Sequence, residues 1–307
     1  MPQTIPGVPA GHRSGYVAIV GQPNVGKSTL LNKLLDFKVA IVTSKPQTTR
    51  NRVVGIRTDE QSQVIFVDTP GIHQSDKELN KLLLDTARRA CADVDLILYL
   101  VDAQQKDWND AERFTLETIR TAKAPRLFVP NKIDLIEKVQ LLPLIERFSK
   151  ELPFEAHIPI SAETGDGIDR LMAEIVQRLP EGPRYYPEDQ VSDMTERDIA
   201  AEIIREKIFL ETSQEVPYSS AVFVEQFEEV PERRLSRIHA TIVVERPSQK
   251  GILIGKGGSM LRRIGESSRL EIERLLGTKV FLELFVRVEP NWTRDSRKLR
   301  KLGLLEK

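Results

Sequence analysis

The chain has 307 residues, of which 40% are hydrophobic and 29% charged, and its formal net charge is zero. That length and balance predict about two globular domains, exclude a disordered chain, and leave overall charge silent about partners. Cys91 is the only cysteine, which excludes an internal disulfide or a cysteine metal cluster and fits a reducing, cytoplasmic compartment.

Residues 1–13 carry Pro and Gly without an apolar run, so they read as a flexible tail rather than a signal peptide. From Tyr16 to Leu179, short β-rich runs alternate with helical patterns. Strands are predicted at 16–20, 53–57, 64–67, 96–101, 126–129 and 156–159, and helices at 28–35, 78–90, 111–121, 139–150 and 168–178. Such alternation predicts an α/β domain over 14–180, a mainly parallel sheet with helices on both faces. Ligands of these sheets sit at the carboxyl ends of the strands. The most apolar run, 96–101, is too short to span a bilayer, which leaves only peripheral contact with the inner face of the cell membrane open.

Gly21-Gln22-Pro23-Asn24-Val25-Gly26-Lys27-Ser28 lies between the first strand and the first helix, with Thr29 next. The spacing GxxxxGK[ST] in that setting marks a phosphate-binding loop. Its glycines let backbone N–H groups turn toward phosphate oxygens, and the helix amino end adds partial positive charge. Lys27 is expected to reach the β- and γ-phosphates and Ser28 to ligate Mg2+. Asp68-Thr69-Pro70-Gly71 ends the third strand, where Asp68 can hold Mg2+ through water and the Gly71 N–H can approach the γ-phosphate. Asn131-Lys132-Ile133-Asp134 ends the fifth strand. The Asp134 carboxylate can accept from guanine N1–H and N2–H2, a pair adenine does not offer. Asn131 would tie neighbouring loops, and the Lys132 stem would cover the base. Ser161 and Ala162 follow the next strand and can meet the guanine O6 through backbone amides. Each tetrapeptide is weak alone; four in this order are specific for GTP and GDP.

Residues 181–193, with Pro183 and Pro187, read as a linker. Beyond it the pattern is a helix (195–210), two strands (219–227 and 236–245), a glycine-rich turn, a helix (259–276) and a strand (279–288), a small α+β domain over 194–290. Charge is split here: residues 191–230 carry ten acidic and three basic side chains, and 231–307 carry nine acidic and 18 basic. The basic half suggests contact with a polyanion, although a solvated face is the plain alternative. Gly255-Lys256-Gly257-Gly258 forms a GxxG turn that lets a nucleic-acid backbone pass close to a helix amino end. Lys256, Arg262 and Arg263 supply cations, and Ile252, Ile254 and Ile264 are a candidate floor for bases. Residues 291–307 form a basic tail in which Trp292 either touches RNA or anchors the end of the domain. The four histidines lack metal-ligand spacing, and no Ser-His-Asp set or carboxylate pair stands out.

These motifs together resemble a translation-factor-class GTPase. The PNVGKS variant, Gln47-Thr48-Thr49-Arg50 and the DTPG stretch point to the Era group, and the order α-β-β-α-α-β around GxxG is similar to a type II KH domain. Glu215-Val216-Pro217-Tyr218 and the segment Glu245 to Gly251 resemble the same group, so the likeness spans about residues 14–303. It implies a GTPase that closes a switch threonine, Thr49 or else Thr48, over Mg2+. Lys27, Thr49 and Gly71 are then the expected catalytic contacts. It also implies binding of single-stranded RNA, namely the 3′ end of 16S rRNA, during assembly of the 30S subunit by a monomer. Ile72 stands where Ras-like enzymes carry a water-positioning glutamine, so turnover is expected to be slow, and Asn24 accompanies K+ activation in some relatives. The rival reading is an RNA-binding scaffold with an inert nucleotide site, against which intact Lys27, Ser28 and Asp68 argue.

Overall fold

The computed structural model describes residues 9–43, 45, 53–69, 88, 91–105, 109–213 and 215–301. The chain divides into two compact units, the first ending at Asp193. Its strands are β1 (Arg13–Gly21), β2 (Val53–Thr58), β3 (Ser62–Asp68), β4 (Leu96–Asp102), β5 (Arg126–Asn131) and β6 (Ala156–His157). They form one sheet in the order β2-β3-β1-β4-β5-β6, with β2 antiparallel to β3 and all other neighbours parallel. Residues 16–20 of β1 and 96–101 of β4 are continuously apolar because helices cover both faces, so neither face has a polar side to alternate with. Helices α1 (Lys27–Leu35), α2 (Asp110–Arg120), α3 (Leu141–Glu151) and α4 (Ile168–Arg178) supply the cover. Ala18, Val20, Tyr99 and Phe128 pack with Leu116 and Ile119 of α2 and Leu144 and Phe148 of α3. The alternate residues of the same strands face the other way. The predicted helix 78–90 lies largely outside the described residues.

Several boundaries differ from the sequence reading. β1 starts at Arg13, three residues before Tyr16, and His12 is already buried with Nδ1 on the Gly182 carbonyl at 2.9 Å. Gly15 is closely packed there, since a Cβ would lie 2.5 Å from Asp95 Oδ2 and 2.9 Å from Leu179 Cδ2. β6 stops at His157, two residues before Pro159, which has no N–H for a ladder.

The expected linker 181–193 is corrected: it is ordered chain of the first unit. The Gln63 amide oxygen accepts from Tyr185 N at 2.6 Å and Tyr186 N at 3.0 Å. Ile56 N donates to the Val191 carbonyl at 2.9 Å, and Ser192 Oγ to the Val54 carbonyl at 2.6 Å. Prolines make this stretch irregular, but these four polar groups still find partners on the edge strand β2 and on β3.

The second unit runs from Met194 and takes in the segment that starts at Ile41. Its elements are α5 (Glu196–Glu211), β7 (Ser220–Val230), β8 (Leu235–Val244), α6 (Pro247–Ile254), α7 (Ser259–Leu276), β9 (Lys279–Val288) and the short α8 (Ser296–Lys301). The sheet order is β7-β8-β9, with β7 antiparallel and β9 parallel to β8. α5 begins with a capping box between Thr195 and Asp198. Its last turn holds no basic residue, and Thr212 beyond it is extended. The Lys45 ammonium caps that end instead, donating to the Phe209 and Thr212 carbonyls.

Trp292 belongs to this unit's core. It is fully buried, and its Nε1 donates to the Ser219 carbonyl at 3.1 Å. The ring therefore anchors the end of the domain and has no face to offer RNA, which moves the ordered domain past the expected boundary at 290. Trp292→Ala should cost about 3–5 kcal/mol of the second unit's stability, read from denaturant unfolding of the full chain. A loss below ~1 kcal/mol would contradict this packing. Among the described residues no helix is long and apolar enough to cross a membrane.

Candidate functional site

The glycine-rich loop connects β1 to α1 as the spacing predicts. Gly21 closes β1, and a Cβ there would sit 2.4 Å from the Leu100 carbonyl oxygen. Gly26 caps α1 at φ 97, in the left-handed region, and Asn24 also has positive φ at 66. Crowding adds a second reason for glycine at 26, since a Cβ would fall 2.3 Å from Asn131 Nδ2. Gly26 offers no side chain to cap α1, and the first N–H groups of a helix are donors that suit an anion.

Lys27 folds back over the loop. Its ammonium donates to the carbonyls of Gly21 at 3.0 Å and Gln22 at 2.8 Å. Burial lowers its pKa to about 8, against the upward pull of Asp68. Ser28 Oγ donates to Asp68 Oδ2 at 2.8 Å, with both residues buried. This joins the start of α1 to the end of β3. A hydroxyl and a carboxylate are hard oxygen donors of the kind Mg2+ takes. Thr69 Oγ1 is spent on the Ile19 carbonyl at 2.9 Å, which ties the residue after β3 to β1. Thr29 is half-buried in the first turn of α1.

Asn131 brings three loops together. It is 1% exposed at the end of β5. Its Nδ2 donates to the Val25 carbonyl at 2.8 Å, and its Oδ1 accepts from Ala162 N at 2.9 Å. One amide thus joins the phosphate loop to the segment after β6. Lys132 takes φ 66 and pairs with Asp102 Oδ2 at 2.7 Å. Asp134 lies in a single 3-10 turn, Ile133–Leu135, and is exposed. Ser161 and Ala162 are buried, and Ser161 N bonds the Asp166 carbonyl at 2.9 Å, closing the opposite loop. Thr49, its alternative Thr48, Pro70, Gly71 and Ile72 lie outside the described residues.

The geometry adds residues that the sequence reading missed. Gln22 Nε2 donates to Asn109 Oδ1 at 3.0 Å and to the carboxylate of Glu112, which also accepts from the Tyr99 hydroxyl. Glu112 is fully buried, and burial pushes its carboxyl pKa up while the Tyr99 hydrogen bond pulls it down. The second position of the phosphate loop is therefore held by α2 through its side chain. The signal was present: Glu112 falls on the same helical stripe as Leu116 and Ile119. Asp102 was also findable, as an acid at the carboxyl end of a parallel strand.

In the second unit the GxxG turn joins α6 to α7. Gly255, Gly257 and Gly258 have φ of 71, 61 and 80. At 257 and 258 a Cβ would meet open space, so the backbone conformation rather than crowding favours glycine there. Gly258 caps α7 without a side-chain bond, which leaves that helix's amino end exposed beside Lys256. Ile252 is exposed and Ile254 half-buried beside the turn. Ile264 is corrected: it is fully buried core and cannot be a floor for bases. Arg262 is exposed, whereas Arg263 Nε pairs with Glu211 Oε2 at 2.6 Å at the end of α5.

Comparisons with known proteins agree with both halves. A family model for a 50S ribosome-binding GTPase matches residues 16–132, and one for a KH domain matches residues 215–293. "GTPase Era" of Geobacter metallireducens is 52% identical over 95% of this chain and 97% of its own. That of Heliobacterium modesticaldum is 46% identical over 96% of this chain and 98% of its own. Among solved structures, a single-residue variant of Aquifex aeolicus Era bound to GDP.AlF4- matches with TM-score 0.92 at 40% identity, covering 96% of this chain and 100% of that one. Era in complex with MgGDPNP and nucleotides 1506-1542 of 16S ribosomal RNA matches with TM-score 0.92 at 39% identity and the same coverage.

Proposed function

The chain belongs to the Era family of GTPases, and from that premise we propose that it is a slow GTP-driven switch acting on the 3′ end of 16S rRNA during assembly of the 30S subunit. It binds and hydrolyses GTP and carries an RNA-binding KH domain. The observation that carries the nucleotide assignment is Asn131, whose one amide joins the loop for phosphate to the loop for base. The RNA assignment is supported by the relative solved with nucleotides 1506-1542 of that RNA, and by the open amino end of α7.

In this reading the amides of 21–28 and the Lys27 ammonium hold the phosphates, and a triphosphate replaces the carbonyls Lys27 now meets. Ser28 and Asp68, with Thr49, would hold Mg2+, which when bound neutralises charge on the β- and γ-phosphates. The Gly71 N–H would meet the γ-phosphate. Asp134 would read the guanine edge, Lys132 would cover the base, and the amides of Ser161 and Ala162 would meet O6. Glu112 holds Gln22 and so keeps the loop shaped before nucleotide arrives. No glutamine stands at 72 to orient water, so basal turnover is slow, and Asn24 is the candidate contact for an activating K+.

Phosphate release from GTP by the full chain tests this reading. Turnover is expected to be slow, to rise with RNA from the 3′ end of 16S rRNA, and to be faster in K+ than in Na+. No release under any condition would favour the inert scaffold. Equal rates in the two salts would remove only the potassium assignment.

A further inference from the structure

The open face of the second unit's sheet takes no part in the GxxG site. Along β9, Val280 and Val286 point into the core and are 5% and 3% exposed, while Phe281 and Phe285 are 53% and 63% exposed. β8 places Arg237, His239 and Thr241 beside Phe281, Glu283 and Phe285, and residues paired in this way share a face. The His239 and Phe281 rings lie 6.3 Å apart. Glu283 is held by His239 Nδ1 at 2.7 Å. The Lys250 ammonium sits 5.6 Å over the Phe285 ring.

Two large rings with a histidine on the neighbouring strand and cations at the rim suit single-stranded nucleic acid. Ring faces accept any base, and the cations meet phosphates. Four strand steps separate the two phenylalanines by about 13 Å, and Glu283, the strand partner of His239, lies between them. A protein partner is favoured by a continuous apolar patch, which Glu283 and Arg237 interrupt here. The face also continues the turn. Lys250 lies on α6, whose end leads into Gly255, about 8 Å away along the helix.

We propose that Phe281, His239 and Phe285 form a second, sequence-tolerant RNA subsite that stacks bases of the same strand beyond the GxxG turn. It rests on the reading of that turn as an RNA clamp. The test uses the full chain and two RNAs. One is a 12-nucleotide single strand from the 3′ end of 16S rRNA; the other is its shortest fragment that the wild-type chain still binds.

Phe281→Ala and Phe285→Ala should each weaken binding of the 12-mer about tenfold, and the double variant more, while the short fragment binds as before. The rings are exposed, so their removal leaves no core cavity. Phe285→Tyr, which keeps a ring, should retain 12-mer affinity, whereas Phe285→Leu should not. Wild-type 12-mer affinity in the double variant would overturn the proposal, as a protein ligand on that face would produce. Equal loss at both lengths would overturn it too. Lys256→Asp with Gly257→Asp should remove binding at both lengths. Failure of that pair to do so overturns the clamp reading and this proposal with it, whereas the phenylalanine variants speak to this face alone.

Discussion

Asp134→Asn is expected to cut the preference for GTP over xanthosine triphosphate by up to about 10⁴-fold. The carboxylate accepts two hydrogens from guanine, at N1 and at the exocyclic amine. An amide offers one acceptor and one donor, so its N–H₂ would face the guanine amine, donor against donor. Xanthine carries a carbonyl in place of that amine and restores the match. Asp134 is exposed in a single 3-10 turn, so the substitution opens no cavity and should leave the fold intact. Competition between the two triphosphates for the full chain, read as phosphate release, measures the ratio. Unchanged selectivity would mean that another group reads the base.

Lys256→Asp combined with Gly257→Asp should weaken RNA binding by about 100-fold or more while basal GTP hydrolysis continues. Opposing charges of one sign costs several kcal/mol at an interface, and the pair changes local charge by three units beside the amino end of α7. The same end stabilises acids through the helix dipole. The acids should therefore repel phosphate without unfolding α7. Gly257 has φ 61 and open space around it, and aspartate tolerates that region better than most residues. Titration at two salt concentrations should also give a shallower salt dependence, because fewer phosphates are neutralised. Unaltered RNA affinity would remove the turn from the binding face.

The two effects separate because the residues involved sit in different units, each with its own core. The polar network beside the phosphate loop connects chemistry to fold in another way. Gln22, Asn109, Glu112 and Tyr99 form a polar chain that runs from the exposed Asn109 and half-buried Gln22 to the buried Glu112 and Tyr99. A network of this sort specifies one arrangement strongly when every member is satisfied.

Local pattern was enough for much of this protein. The alternation of apolar runs with helical stripes gave the parallel sheet, because period and length are properties of short segments. The phosphate loop could be read from its spacing, because its glycines answer to backbone conformation and its lysine and serine to the start of one helix. The GxxG turn was legible for the same reason. Only the tertiary structure decided which groups partner one another across the chain. It put Asn131 between Val25 and Ala162, gave Glu112 to Gln22 and Asp102 to Lys132, and set Lys45 on the end of α5. It also made the proline-rich 181–193 an ordered strap and buried Trp292. On β9, apolar residues occupy both alternating sets, so the sequence left open which face is covered. Helix packing covered Val280 and Val286 and left Phe281 and Phe285 to solvent. A buried polar group must find a partner, but where that partner lies in sequence depends on which strands end side by side.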